Sequence, residues 1–258
     1  MAILGLSAAL GILIIRRFQR SQRRKQQLEA DLRQAQQVQQ VLLPQAIPAV
    51  PGFHIECEYR PAQEVGGDFF QVLETQAGGV LVVIGDVSGK GVHAAMLVAL
   101  IVGALRTIAE DSENPSAILE RLNRRLVGRM EGGLATCLCA RLSPDGSLTV
   151  ANAGHLAPWL DGQELEVPHD LPLGLADGIE YATRVLRIPE NGTLSFVTDG
   201  VVEARNSRRE LFGFDRTRAL STHSARQVAE AAEQFGQEDD ITVVRVQLSP
   251  VPALVLNV

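Results

Sequence analysis

Apolar residues in this chain fall into runs of two different periods. Residues 79–84 form an unbroken aliphatic stretch, Val80-Leu81-Val82-Val83-Ile84 after a glycine, which predicts a strand buried on both faces. Residues 92–108 are apolar, longer, and rich in Ala and Leu, which predicts a buried helix. Apolar alternation predicts further strands over 53–60, 135–142, 147–153, 183–188, 193–197 and 241–248. Pro144-Asp145-Gly146 marks a hairpin turn, as do Asp161-Gly162 within 158–167 and Asn191-Gly192 between 183–188 and 193–197. Helical spacing returns after Pro115, to about Met130, and over 224–235, where Ser224 is a candidate cap. Many hairpins with a few clustered helices predict an α+β fold rather than alternating βαβ units.

The N-terminal part follows other rules. Residues 2–15 are 14 uncharged, mostly apolar positions. As a helix they span roughly 21 Å, short of a hydrocarbon core of about 30 Å, and Phe18 with snorkelling Arg16 and Arg17 extends them. Residues 1–18 are therefore read as a short membrane anchor. The bases that follow place the remainder of the chain in the cytoplasm. Residues 19–43 lack Gly and Pro, and Leu28, Leu32, Ala35, Gln39 and Leu42 repeat at 4-3-4-3 spacing. Residues 19–47 are thus a helical linker whose seam either pairs two copies as a coiled coil, giving a homodimer, or packs on its own domain. Pro44, Pro48 and Pro51 close it. The folded domain is 48–248, and 249–258 are a tail.

Charge is unevenly spread. Residues 16–25 carry six bases and no acid, whereas the chain from Gln26 onward carries 18 bases against 30 acids. An acidic body of this kind excludes nucleic acid as the expected partner. Three cysteines cannot all pair, and Cys137 and Cys139 share one face of an alternating run, as small buried hydrophobes do. A reducing compartment fits. Gly85 and Gly89-Lys90 approach a phosphate-binding loop, but the spacing is one residue short and Gly91 stands where the hydroxyl belongs.

Four aspartates, Asp68, Asp86, Asp199 and Asp239, each stand at the edge of an apolar strand beside glycine or a second acid. Carboxylates brought together repel one another and are costly to desolvate unless a cation neutralises them. Oxygen ligands without His or Cys partners suit Mg²⁺ or Mn²⁺ rather than Zn²⁺. Such a site suits phosphoryl chemistry. The residues alone leave open a metal-dependent phosphatase or phosphodiesterase and a nucleotide cyclase.

The motifs Val65-Gly66-Gly67-Asp68-Phe69-Phe70, Gly85-Asp86-Val87-Ser88-Gly89-Lys90-Gly91, His93-Ala94-Ala95, Ala151-Asn152-Ala153-Gly154-His155, Thr198-Asp199-Gly200 and Asp239-Asp240-Ile241-Thr242 occur in this order. Together they resemble the SpoIIE/RsbU branch of the PPM family of metal-dependent serine/threonine protein phosphatases, over about residues 48–248. The resemblance implies a PPM-type β-sandwich flanked by helices, with two Mn²⁺ or Mg²⁺ ions at one edge. It implies that Asp86 bridges the ions, that the Val87 carbonyl helps bind one, and that Asp199 and Asp239 complete the second. Asp68 would bind the first directly or through water, and Asp239 ranks ahead of Asp240. The implied reaction is hydrolysis of a phosphoserine or phosphothreonine ester by two-metal-activated water. The implied substrate is a phosphorylated STAS-type anti-sigma factor antagonist, and with the N-terminal anchor read above the expected location is a bacterial cytoplasmic membrane crossed once. The alternative is a catalytically silent membrane-bound interaction module of the same fold. The chain departs from the pattern at Gln71, where relatives often carry an acid, and at Ser88, where eukaryotic relatives carry His. The general acid is thus unassigned. His93 and His155 are polar candidates that read better as structural, and Lys90 as a surface lysine.

Overall fold

The computed structural model describes residues 16–27, 36–37, 41, 44, 46–130 and 133–249. Residues 1–15 of the expected anchor, the seam positions Leu28, Leu32, Ala35, Gln39 and Leu42, and residues 250–258 lie outside the described residues. Residues 16–27 are helical and exposed.

Two five-stranded sheets form the domain. Strands β1 (Phe53–Arg60), β10 (Ile241–Leu248), β9 (Thr193–Val197), β6 (Trp159–Leu160) and β7 (Gln163–Glu164) lie in that order in one sheet. Strands β2 (Asp68–Glu74), β3 (Val80–Val87), β4 (Ala135–Leu142), β5 (Ser147–Ala153) and β8 (Thr183–Arg187) form the other. All named strand pairs are antiparallel. Helices α1 (Val92–Asp111) and α2 (Pro115–Leu126) cover the outer face of the β2–β8 sheet. The short helix α3 (Asp199–Val202) and α5 (Ala225–Gly236) cover the other sheet, and α4 (Gly213–Leu220) packs against them.

The layering explains the apolar patterns. On β3, Val80, Val82 and Ile84 enter the core between the sheets, opposite Leu194, Phe196, Val244 and Val246 of β9 and β10. Leu81, Val83 and Val87 point the other way, into a core with Val98, Ile101 and Leu105 of α1 and Leu119 and Leu122 of α2. A strand with helices on one side and a sheet on the other has no polar face, hence the unbroken run. Cys137 and Cys139 are buried on the helix side of β4, as small hydrophobes. Asn114 caps α2 through its side chain, with Pro115 in the first turn. Ser224 and Gln227 form a capping box on α5.

One expected hairpin is not formed. Asn191 (φ 62°) and Gly192 do make a tight turn, closed from Gly192 N–H to the Pro189 carbonyl. That turn carries the chain from β8, at the edge of one sheet, to β9, inside the other. A hairpin and a crossing between facing sheets both need a chain reversal, so the turn residues do not separate them. The burial does: β9 is buried throughout, while β8 is mostly exposed. The helix after Pro115 ends at Leu126 rather than near Met130, and α4 had no periodic signal of its own.

Candidate active site

The start of β2, the end of β3, the end of β9 and the start of β10 meet at one edge of the sandwich. This follows from antiparallel pairing: Asp68 is the cross-strand partner of Asp86, and β10 returns beside β9. Asp199 opens α3 directly after β9, and Asp239 and Asp240 immediately precede β10. All four predicted aspartates are therefore brought to the same rim from separated parts of the chain.

Asp68 is buried between the sheets. One carboxylate oxygen, Oδ2, accepts hydrogen bonds from the hydroxyls of Thr198 (2.7 Å), just past the end of β9, and Thr242 (2.6 Å) of β10. Burial, and then the neighbouring Asp86, push its carboxyl well above the usual range despite those two donors. Asp86 is half-buried, and burial together with Asp199, Asp239 and Asp240 pushes it up to about 7. Asp199 is raised by burial and by Glu203 and Asp239. The rim therefore carries mutually repelling carboxylates that a cation would relieve.

Gly67 defines the space beside Asp86. A Cβ there would lie 2.6 Å from Asp86 Oδ1 and 2.6 Å from the Val87 carbonyl oxygen. A carboxylate oxygen and a carbonyl oxygen thus face one gap that only glycine leaves open. They are the two donors expected to share a cation, and both are hard oxygen ligands. Among the described residues no three acidic, histidine or cysteine side chains close into a finished cage. These two oxygen donors fit a divalent ion in kind, and Asp199, Asp239 and Asp240 lie near enough to raise Asp86.

The two terminal acids have different surroundings. Asp240 is buried, and its carboxylate accepts from the backbone N–H groups of Ala62 (2.9 Å) and Gly67 (2.7 Å), which latches the β1–β2 loop. Asp239 is exposed and lies 3.6 Å from Lys90 Nζ. Its Oδ1 accepts from the Asp240 N–H. Lys90 sits in a loop where Gly89 (φ 109°) and Gly91 (φ 77°) hold conformations that side chains disfavour.

Several other polar residues nearby make contacts within the fold. Ser88 Oγ accepts from the Leu134 N–H at 2.8 Å and ties the loop after β3 to the start of β4. His93 is exposed on α1. His155 is buried, with Nδ1 2.9 Å from Thr136 Oγ1, and its backbone N–H donates to Asn152 Oδ1. Burial lowers it to about 4, so it is neutral. Thr136 in turn accepts the Asp86 N–H at 3.3 Å. Gln71 is buried and accepts from Arg106. The sequence reading missed Thr136, the part Thr198 and Thr242 play in seating Asp68, and the latch at Asp240. Thr198 and Thr242 lie inside the quoted motifs, so the signal was present. Thr136 carries no such mark. A cavity of about 420 Å³ lined by Leu73, Arg106 and Glu113 lies at the far end of α1 and touches none of these carboxylates.

Comparison with known proteins agrees with this architecture. A family model described as Stage II sporulation protein E (SpoIIE) matches residues 76–249. Phosphoserine phosphatase RsbU of Bacillus subtilis is 24% identical over 237 residues, covering 85% of this chain and 70% of RsbU. The RsbU and RsbW domains of Rv1364c from Mycobacterium tuberculosis superpose with a TM-score of 0.69 at 25% identity, covering 81% of this chain and 63% of that one. The SiaA-PP2C domain of Pseudomonas aeruginosa gives a TM-score of 0.73 at 23% identity, with 86% and 98% covered. The family model spans more than half of the chain and the fold is that of the PP2C domains; the chain belongs to the SpoIIE family of PPM-type serine/threonine protein phosphatases.

Proposed function

We propose that this chain hydrolyses a phosphoserine or phosphothreonine ester on a protein, with two divalent cations, Mn²⁺ or Mg²⁺, held at the acidic rim. The observation that carries the reading is the gap beside Gly67, where Asp86 Oδ1 and the Val87 carbonyl converge among further carboxylates. Asp86 would hold both ions, the Val87 carbonyl one of them, and Asp199 and Asp239 the second. When bound, the ions supply an activated water and neutralise phosphoryl oxygens. The protein's own residues hold the rim in place. Thr198 and Thr242 fix Asp68, Asp240 fixes the β1–β2 loop, and Thr136 with neutral His155 steadies the backbone of Asp86.

Residues 1–18 would tether the enzyme to the bacterial cytoplasmic membrane with the domain in the cytoplasm. The apolar run followed by six bases supports this. Among the described residues the helix long and apolar enough to cross a membrane is α1, and it is 50% buried as the core helix of the domain. The partner would be a phosphorylated STAS-type anti-sigma factor antagonist, and a pair of linker helices would make the enzyme a dimer. The resemblance to RsbU supports the substrate class. The test is phosphate release by the full-length chain in detergent from a panel of phosphoserine STAS proteins, with phosphotyrosine peptides as controls. Mn²⁺-dependent release from the phosphoserine proteins alone is expected. A folded chain that binds them without turnover would instead be the silent module.

A further inference from the structure

Of the chain's 24 basic residues only Lys25 and Lys90 are lysines, and every other is arginine. Lys90 is thus the one lysine between residues 48 and 248, and it stands in the loop between Asp86 and α1. The base of that loop is fixed: Ser88 N–H donates to the Leu134 carbonyl at 2.9 Å, and Ser88 Oγ accepts from the Leu134 N–H at 2.8 Å. Gly89 and Gly91, on either side of Lys90, hold left-handed conformations, so the backbone itself turns the lysine where it points. Gly67, Gly89, Lys90, Asp239 and Asp240 line one small cleft. The gap where Asp86 Oδ1 and the Val87 carbonyl oxygen converge lies beside that same Gly67. The lysine and the expected cation site therefore open on one cleft.

The contact that Lys90 makes is a loose one. Its Nζ lies 3.6 Å from Asp239 Oδ2, beyond N–H···O hydrogen-bonding distance, and both side chains are more than half exposed. A pair of this kind adds little to stability, so stability does not account for a lysine in a chain that otherwise uses arginine. An arginine would close on the same carboxylate through two parallel hydrogen bonds. An ammonium is a point charge on a flexible stem and gives the carboxylate up more easily. Asp239 is a carboxylate that the proposed function commits to a cation. Once it is so engaged Lys90 needs another anion, and the anion that the reaction carries into this cleft is the phosphoryl group.

We propose that Lys90 binds the phosphoryl group of the substrate, its ammonium moving from Asp239 to a non-bridging oxygen of the phosphate ester. This rests on the phosphatase reading above and adds to it a side chain of this chain that recognises the phosphate directly. The ligand is a phosphate monoester dianion, whatever protein carries it. The oxygen that Lys90 takes is present in substrate, transition state and product phosphate alike. Its contribution is therefore uniform binding, which shows in KM and in product inhibition more than in kcat.

The test uses the full-length chain in detergent, with inorganic phosphate as the probe. The readouts are kcat and KM for p-nitrophenyl phosphate in Mn²⁺, the inhibition constant of phosphate, and Mn²⁺ affinity by titration calorimetry without phosphate. Lys90→Ala is expected to raise KM and the phosphate inhibition constant together by about tenfold, the worth of one charge-assisted hydrogen bond, with kcat changed by less than about threefold. The same variant should bind Mn²⁺ at least as tightly as the wild type, because a positive charge beside Asp239 has been removed. Lys90→Arg should keep phosphate inhibition within about threefold of the wild type and bind Mn²⁺ more weakly, because its fork holds the Asp239 carboxylate. A phosphate inhibition constant that Lys90→Ala leaves unchanged overturns the proposal. So does weaker Mn²⁺ binding by Lys90→Ala, which would make Lys90 a prop for Asp239 rather than a ligand for phosphate. Absence of Mn²⁺-dependent turnover of p-nitrophenyl phosphate by the wild type is a different result. It removes the phosphatase reading, and the role of Lys90 with it.

Discussion

Replacing Asp86 by asparagine should make the metal-free protein more stable while abolishing its response to metal. Burial and the carboxylates of Asp199, Asp239 and Asp240 raise Asp86 from 3.8 to about 7. The folded state therefore binds a proton more tightly than the unfolded chain. Without metal, stability falls as pH rises from about 4 to about 7, and the full cost is present above that. Roughly three units at about 1.4 kcal/mol each set an upper figure near 4 kcal/mol, and partial solvent access reduces it to about 2. With a urea slope of about 2 kcal/mol per molar, Asp86→Asn should raise the midpoint by about 1 M in chelator at pH 8. At pH 4 the difference should vanish. Mn²⁺ at 100 times its dissociation constant should stabilise the wild type by about 2.7 kcal/mol and leave the variant unmoved, so the order of the two proteins inverts. Urea unfolding followed by circular dichroism, in chelator and in Mn²⁺, reads all of this. A variant less stable than wild type in chelator at pH 8 would refute the claim that burial, with the neighbouring carboxylates, makes ionised Asp86 costly in the metal-free rim.

Gly67→Ala puts a methyl group 2.6 Å from both Asp86 Oδ1 and the Val87 backbone carbonyl oxygen, so one of them must shift. It should weaken Mn²⁺ binding by about 1–3 kcal/mol, read by titration calorimetry, with the circular dichroism spectrum retained. Ser224→Ala removes the capping hydroxyl of α5 and should cost about 0.5–2 kcal/mol in urea unfolding, with no change in metal affinity. Burial pushes the thiols of Cys137 and Cys139 upward, and that of Cys57 up to about 12. All three should resist a thiol reagent at pH 8 in the native state and react on denaturation.

Most strands and the principal helices are legible in the sequence because each has one dominant apolar period. β3 and α1 are read without ambiguity: one is buried on both faces and the other is a long core helix. The acidic rim is legible as well, because antiparallel pairing carries strand-edge aspartates to one end of the sandwich. Three features are not. The Asn191-Gly192 turn crosses between sheets, and reversal chemistry is the same for a crossing as for a hairpin. The helix α4 begins at Gly213 with an exposed Phe214 and a single buried residue, Thr217, so it lacks an apolar stripe. The division of labour between Asp239 and Asp240 depends on which one faces the β1–β2 loop. Adjacent residues on a strand edge point in opposite directions, and only the packing of Ala62 and Gly67 decides it.

The central claim is that Asp86 and its neighbours make a metal-dependent phosphatase centre. The most direct test follows p-nitrophenyl phosphate hydrolysis by the full-length chain across a Mn²⁺ titration, for the wild type and Asp86→Asn. The account predicts saturable turnover in the wild type, loss of that turnover in chelator, and at least about a hundredfold lower kcat/KM in the variant at every Mn²⁺ concentration. Turnover that survives chelator, or a variant as active as the wild type, would contradict it.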